Sequence, residues 1–456
     1  MEEQRKNEFP RPPETPDWAQ ETLAPAKPPF SASRKEVLLA FGIYVLAYVY
    51  LGSGWWALPL FAAGFIAAGE YLYRDVKRPW ESWVWLACVI MIAGCITWRS
   101  LHPNQYDSRL DVQVMQEYAI PSSLAFLALH ILAVYWLLCR SGRLTGGESG
   151  HLLPLDALYA FLIVPFQNFF LRIRCVIFAL KSKKERGVSA GAIAVAVLAA
   201  FAALVLLVLA MTQLSAADDT FGELIDDLRL TLTLDLDETW FYRLLASLPV
   251  GAYVFGLLAG LGRRTPEDMR GCGAAVMDRL PKLRTVPAGI WAAALGLFSA
   301  LYLVFFFVQG RYLFGAFTRT LPESFTVAEY ARQGFFELCR VMAINFTLFW
   351  LVTRTARQEQ KLIRWMAAAL LVQSMLFAVI AISKLALYID CFGLTPLRVQ
   401  STWLVCVLLL GCVCALYTHL TGKMSMRAWM IFGAVTLAVL CMVQLPMHIP
   451  APEYPG

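Results

Sequence analysis

Charge is scarce in this sequence. Asp, Glu, Lys and Arg make up 16% of its 456 residues, whereas soluble domains carry about 25%. Histidine is scarcer still, at five residues. No phosphate-binding GxxxxGK[ST] loop, no HExxH helix and no kinase motif set occurs. ATP-driven transport by this chain alone is therefore not expected, nor is zinc-protease chemistry. Cysteine is present eleven times, an odd number, and mostly inside apolar stretches. No CxxC pair exists, and Cys412–Val413–Cys414 has no histidine or carboxylate near it in sequence. A disulfide framework and a zinc or redox centre are both disfavoured, so neither a metal nor a cofactor is expected.

What the chain has in excess is hydrocarbon. Hydrophobic residues are 59% of the total and aromatics 13%. Apolar runs of about twenty residues, enough to cross ~30 Å of lipid, recur from Glu36 to Met447. The pattern predicts an all-α, polytopic membrane bundle rather than about three soluble domains. Spans are expected at 37–53, 55–73, 80–98, 121–139, 188–212, 243–262, 287–309, 326–353, 362–388, 401–420 and 427–446. That makes eleven. Gly52–Ser53–Gly54 makes the first two an antiparallel hairpin, and Trp55, Trp56, Trp80 and Trp98 fall at expected interfaces.

Residues 1–35 hold seven of the 23 prolines and both signs of charge, which predicts a disordered cytoplasmic tail. A membrane part with two stretches follows, 36–187 and 188–447, and then a short outer tail at 448–456. With the N-terminus inside, 29 of the 39 Lys and Arg residues fall in 1–35, 74–78, 140–187, 263–284, 354–364 and 423–427, all on the cytoplasmic side. That excess fits the positive-inside rule and gives an N-in, C-out arrangement. The net charge of +6 thus sets topology and does not signal a nucleic-acid partner. Residues 152–181 are apolar, but Pro165 interrupts them and basic residues flank both sides. An interfacial or re-entrant element at the cytoplasmic face is expected there.

Helix 326–353 carries the most chemistry. Thr326 and Glu329 fit a capping box, and Glu329, Gln333, Glu337 and Arg340 then share one face, with Arg332 beside it. Helix 362–388 offers Lys384, followed by Asp390 and Arg398. An uncompensated charge facing lipid costs roughly 2.5–3.5 kcal/mol. Glu329, Arg332, Glu337, Arg340, Lys384, Asp390 and Arg398 are therefore expected to form one ionic cluster near the outer face. Its surplus of positive charge favours an anionic ligand. Alternatively, the cluster serves only to tie the two helices together.

Part of the chain resembles a known family. Gln309, Tyr312–Leu313–Phe314–Gly315, the run Ala-Glu-Tyr-Ala-Arg-Gln-Gly-Phe-Phe-Glu-Leu from Ala328, and Tyr388 followed by Gly-Leu-Thr-Pro-Leu-Arg resemble a bacterial multi-pass family catalogued as a domain of unknown function. The resemblance is strongest over 305–402 and weaker from about 215. Phe392 stands where the family has tyrosine, and Lys384 where it has arginine; charge is kept but bidentate geometry is not. The resemblance implies a bacterial cytoplasmic membrane, no established activity and an association with signalling operons.

Weaker signals complete the list of candidates. Asp235–Leu236–Asp237 lies in an outward segment with eight acidic residues between 215 and 240, but the pair sits in an alternating amphipathic pattern. Glu70 and Arg74 are spaced for an i,i+4 pair. His130 is a lone imidazole suited to an interhelical hydrogen bond, and Ala252, Gly256 and Gly260 form a small-residue ladder for close packing. Three functions are compatible with this chemistry. The first is a non-catalytic sensor or scaffold, binding membrane lipid or an anionic envelope ligand and working with a signalling or envelope protein. The others are a transporter or flippase for an amphipathic anion, and a membrane-embedded transferase.

Overall fold

The computed structural model of the chain describes residues 30–52, 56–101, 112–182, 239–313, 335–357 and 361–444. These are helical, with no strand among the described residues and one isolated pairing between Val286 and Ala356. The first group is α1 (Arg34–Tyr50), α2 (Ala57–Leu72), α3 (Glu81–Leu101) and α4 (Val112–Ser141). A broken segment follows: α5 (Leu153–Leu158), a wide turn at Tyr159–Ile163, α6 (Val164–Gln167) and α7 (Leu171–Ser182). Next come α8 (Thr239–Gly262) and the surface helix α9 (Pro266–Arg279). The last group is α10 (Ala288–Leu313), α11 (Phe335–Thr355), α12 (Lys361–Phe392), α13 (Pro396–Thr421) and α14 (Met426–Gln444).

Eight of these helices are long and apolar enough to cross a membrane, and the bent segment 153–180 would add a ninth. The expectation of eleven spans counts two further helices, α1 and α2, of 17 and 16 residues, and a run at 188–212 that lies outside the described residues. Also outside them are most of the N-terminal tail, the acidic stretch with Asp235 and Asp237, the Thr326–Glu329 capping pair and the C-terminal tail.

Local chemistry sets the helix ends. Ser33 and Glu36 close a capping box on α1, with Ser33 N–H donating to Glu36 Oε2 at 2.8 Å. Thr265 and Asp268 do the same for α9, behind Pro266 in the first turn. Gly422, at φ 74°, ends α13 in a conformation that a side chain would strain.

The apolar faces pack into two cores. One is built from α1–α4, the segment 153–175 and α8, around Trp136, Phe255 and Ile43. The other is built from α10–α13, around Met342, Leu370 and Phe377. Helix α14 joins them. Its Ala434, Ala438 and Cys441 sit in the first core, while Trp429 Nε1 donates to Val407 O of α13 at 2.8 Å and Thr436 Oγ1 accepts from Trp403 Nε1 at 2.9 Å. Tyr302, Asn345 and Ser374 link α10, α11 and α12 through bonds of 2.7 and 2.8 Å inside the second core, the expected polar glue between apolar helices.

Contacts place the described parts of the basic connections 74–78, 142–152, 263–284, 354–364 and 423–427 on one face. Lys35 at the start of α1 reaches Asp75 (2.5 Å) and Glu36 reaches Arg263 (2.9 Å). Arg143 after α4 donates to Arg264 O (2.8 Å), and Arg364 of α12 donates to Leu420 O near the end of α13 (2.6 Å). We call this the basic face. Both α1 and α14 start there and run away from it.

The segment 153–182 meets this face at both ends. Asp156 is bonded to Thr145 at one end, and Phe178 packs edge-on against Phe30 at 6.1 Å at the other. In between, its bend rests on the small-residue ladder of α8. A Cβ on Gly256 would lie 2.6 Å from Pro165 O, and one on Gly260 would lie 2.6 Å from the Asn168 side chain. No residue larger than glycine lets the two backbones approach this closely.

Candidate functional site

The expected outer cluster is placed in part. Glu337 and Arg340 lie one turn apart on α11, 3.9 Å from each other, with side chains 62% and 74% exposed. Lys384 on α12 is 8% exposed and within electrostatic reach of Glu337. Arg398 stacks 4.2 Å over the Tyr388 ring and donates to Gly393 O at 2.6 Å, where a φ of 75° turns the chain from α12 into α13. Asp390 is exposed at the end of α12. Glu337 thus lies near both Arg340 and Lys384, and Arg398 meets Tyr388 and Gly393 at the turn from α12 into α13. Glu329 and Arg332 lie outside the described residues.

The densest buried charge is at the other end of the bundle. Glu81, only 3% exposed, pairs with Arg427 at the start of α14 and accepts from Ser149 N–H at 3.2 Å. Arg427 also reaches Glu148 at 2.8 Å and lies 4.8 Å over the Trp80 ring. Glu70 takes Arg78 on one oxygen at 2.5 Å and Arg140 on the other at 2.9 Å. The i,i+4 partner expected for Glu70 is therefore corrected. Arg74 instead pairs with its neighbour Asp75, because Arg78 and Arg140 converge on Glu70 from two other backbone segments. Asp156 is fully buried, and its Oδ1 accepts from both the backbone N–H and the hydroxyl of Thr145 at 2.8 and 2.7 Å. These pairings stitch the loop 142–152 to α3, α5 and α14.

Beside this seam opens a cavity of about 1010 Å³. Its walls come from the ends of α11, α12 and α13 on the basic face, the start of α14, and His151 with Pro154. Charge and hydrocarbon are segregated along it. Arg354, Arg364, His151 and His419 lie at the face, while Phe346, Ala367, Gly411, Cys414 and Trp429 line the deeper part. No carboxylate lines it among the described residues. His419 Nε2 is 3.0 Å from Arg364 O and its ring meets Phe349 edge-on at 5.2 Å, which fixes that wall. Gly411 lets the Trp429 indole pack closely on α13, since a Cβ there would come 3.1 Å from the indole nitrogen.

The imidazole of His151 is held below its ordinary value of 6.5, first by burial and then by the positive charge of Arg354. Its environment therefore favours the neutral ring and would favour the cation if an anion entered. His130, expected to bond between helices, is instead hydrogen-bonded within its own helix and meets α1 through ring packing. Its Nδ1 lies 2.7 Å from Phe126 O of its own helix, and the ring packs against Phe126 and Tyr50.

The sequence pattern did not single out Glu81, Arg427, Glu148, Asp156 or the His151–Arg354–Arg364–His419 group. Each of these charges lies in a short connection or a terminal turn, where isolated charge is ordinary. One further string, Gly187–Val188–Ser189–Ala190–Gly191, has the GxSxG spacing of a nucleophile elbow. It lies outside the described residues.

An all-helical chain with eight or more membrane-length helices, its charges gathered at the helix ends, is a polytopic integral membrane protein. It belongs to the family described as domain of unknown function DUF4153, whose model matches residues 86–449. No curated protein and no solved structure matches the chain.

Proposed function

We propose that this protein is a non-catalytic membrane sensor or scaffold component that binds an anion in the basic-face cavity and reports occupancy through α14. The observation that carries the proposal is the cavity itself, with two arginines and two histidines at one end and no carboxylate among its described lining. Fixed cations in a partly desolvated pocket favour an anion far more than the same charges would in water. Reporting is supported by Arg427. It sits between the cavity residues Met426 and Trp429 and is ion-paired with Glu81 and Glu148 of the other core.

The basic face is taken as cytoplasmic because 29 of the 39 Lys and Arg residues fall in the segments assigned to it. Eleven spans, N-in and C-out, in a bacterial inner membrane complete the proposed topology, with 153–182 re-entrant because both its ends meet the basic face. Membrane lipid and a signalling or envelope protein are the partners proposed. The outer group around Lys384 is retained as a secondary anion contact. A transporter is the less favoured function, since Met342 and Phe377 pack the bundle beyond the floor of the cavity.

The test uses the full chain in a neutral detergent with dodecyl phosphate as probe. Binding should raise the apparent Tm and slow hydrogen exchange in 142–152 and 423–429. Occupancy at 100 Kd corresponds to about 2.7 kcal/mol of stabilisation. Both effects should vanish in Arg354→Gln/Arg364→Gln. No stabilisation by dodecyl phosphate would end the proposal. Stabilisation without slower exchange at 142–152 would remove the sensing part.

A further inference from the structure

We infer that the occupant of the cavity is a membrane lipid with an anionic phosphate head, taken from the leaflet on the basic face. This rests on the anion-binding proposal above and names its ligand class. Depth is the first argument. From Arg354 to Phe346 along α11 is about 12 Å, and from Thr421 to Gly411 along α13 is about 15 Å, at 1.5 Å per residue. The hydrocarbon of one leaflet is about 15 Å thick, half of ~30 Å. The cavity therefore reaches from headgroup level to the depth of acyl-chain ends.

Polarity along that depth is the second argument. Arg354, Arg364 and His151 mark the shallow end, and Thr418, Thr421 and Ser425 add hydroxyls there. Below them the walls are Phe346, Ala367, Gly411, Ala415 and Trp429. A free phosphate would leave this apolar half without a partner, whereas a lipid fills both halves with matching chemistry. Access is the third. Trp350, a lining residue on α11, is 53% exposed. The cavity is therefore not sealed at this wall, and an aromatic ring near the end of a span is favoured at the membrane interface.

Cys414, on the apolar wall, reads out chain occupancy, and Cys272 on α9 serves as an internal control. The full chain is placed in nanodiscs of phosphatidylcholine alone or of phosphatidylcholine with phosphatidylglycerol. Alkylation by N-ethylmaleimide is then followed at each cysteine by peptide mass spectrometry. Phosphatidylglycerol should slow Cys414 about tenfold, equivalent to 1.4 kcal/mol of protection, and leave Cys272 unchanged. Arg354→Gln/Arg364→Gln should remove the protection. If that variant does not fold, salt at about 1 M, which cuts the screening length to ~3 Å, should remove it from the native chain. Equal Cys414 rates in the two lipids overturn the inference. So does equal protection by inorganic phosphate in phosphatidylcholine discs, which would assign the site to a soluble anion. If dodecyl phosphate binds while phosphatidylglycerol gives no protection, the lipid assignment alone fails. If neither binds, the anion site itself is lost.

Discussion

Arg427 at the start of α14 is ion-paired with Glu81 at the start of α3, and this contact ties the helix shared by both cores to the first of them. Glu81 is almost wholly buried, Arg427 two-thirds so, and Ser149 N–H completes the shell of the carboxylate. Burying two charges is favourable only when both stay paired, so removing one partner costs far more than the pair itself contributes.

Glu81→Gln or Arg427→Gln alone should therefore destabilise the protein by roughly 3–5 kcal/mol. The double variant should lose less than the sum of the two. Thermal unfolding of the detergent-solubilised proteins measures this, and strictly additive losses would show that the two side chains act independently.

Gly256→Ala should cost roughly 1–3 kcal/mol, since the added methyl falls 2.6 Å from the Pro165 carbonyl and the backbone must move apart. Gly271→Ala on α9, where a Cβ meets nothing within 4 Å, should be neutral or slightly stabilising. Limited proteolysis within 153–182 should accelerate in the first variant and not in the second.

The pH dependence follows from His151. Its folded pKa lies below 6.5, so the unfolded chain takes up a proton first as pH falls. Stability carried by the neutral ring is complete above pH 6.5 and is lost as pH falls from there through the lower folded value. Arg354→Gln removes one of the two causes and should flatten that loss, and His151→Gln should remove it. Apparent Tm between pH 7.5 and pH 5 measures both. With dodecyl phosphate bound the slope should shrink, because an anion beside His151 favours its charged form.

An all-helical membrane bundle was legible in the chain because hydrocarbon thickness imposes a length on every span, and length is a one-dimensional property. Helices near 80–98, 243–262, 287–309, 401–420 and 427–446 correspond closely to α3, α8, α10, α13 and α14. The glycine ladder of α8 was legible for a similar reason, since a repeat of small residues at helical spacing has one use, close approach. What it would approach, Pro165 and Asn168, was not written in the repeat.

Charge partners were far less legible. Glu70 has a well-spaced neighbour in Arg74 and bonds instead to Arg78 and Arg140, the latter 70 residues away. Arg427 and Glu148 are separated by 279 positions. The sequence by itself determined the solvent for which this protein is built and where its helices run. Only the tertiary structure decided which ionised groups meet, and that a cavity with cations at one end and hydrocarbon at the other opens between α11, α12 and α13. The physical reason is range. Lipid acts on each segment alone through its transfer free energy, whereas a salt bridge or a cavity exists only after distant segments have packed.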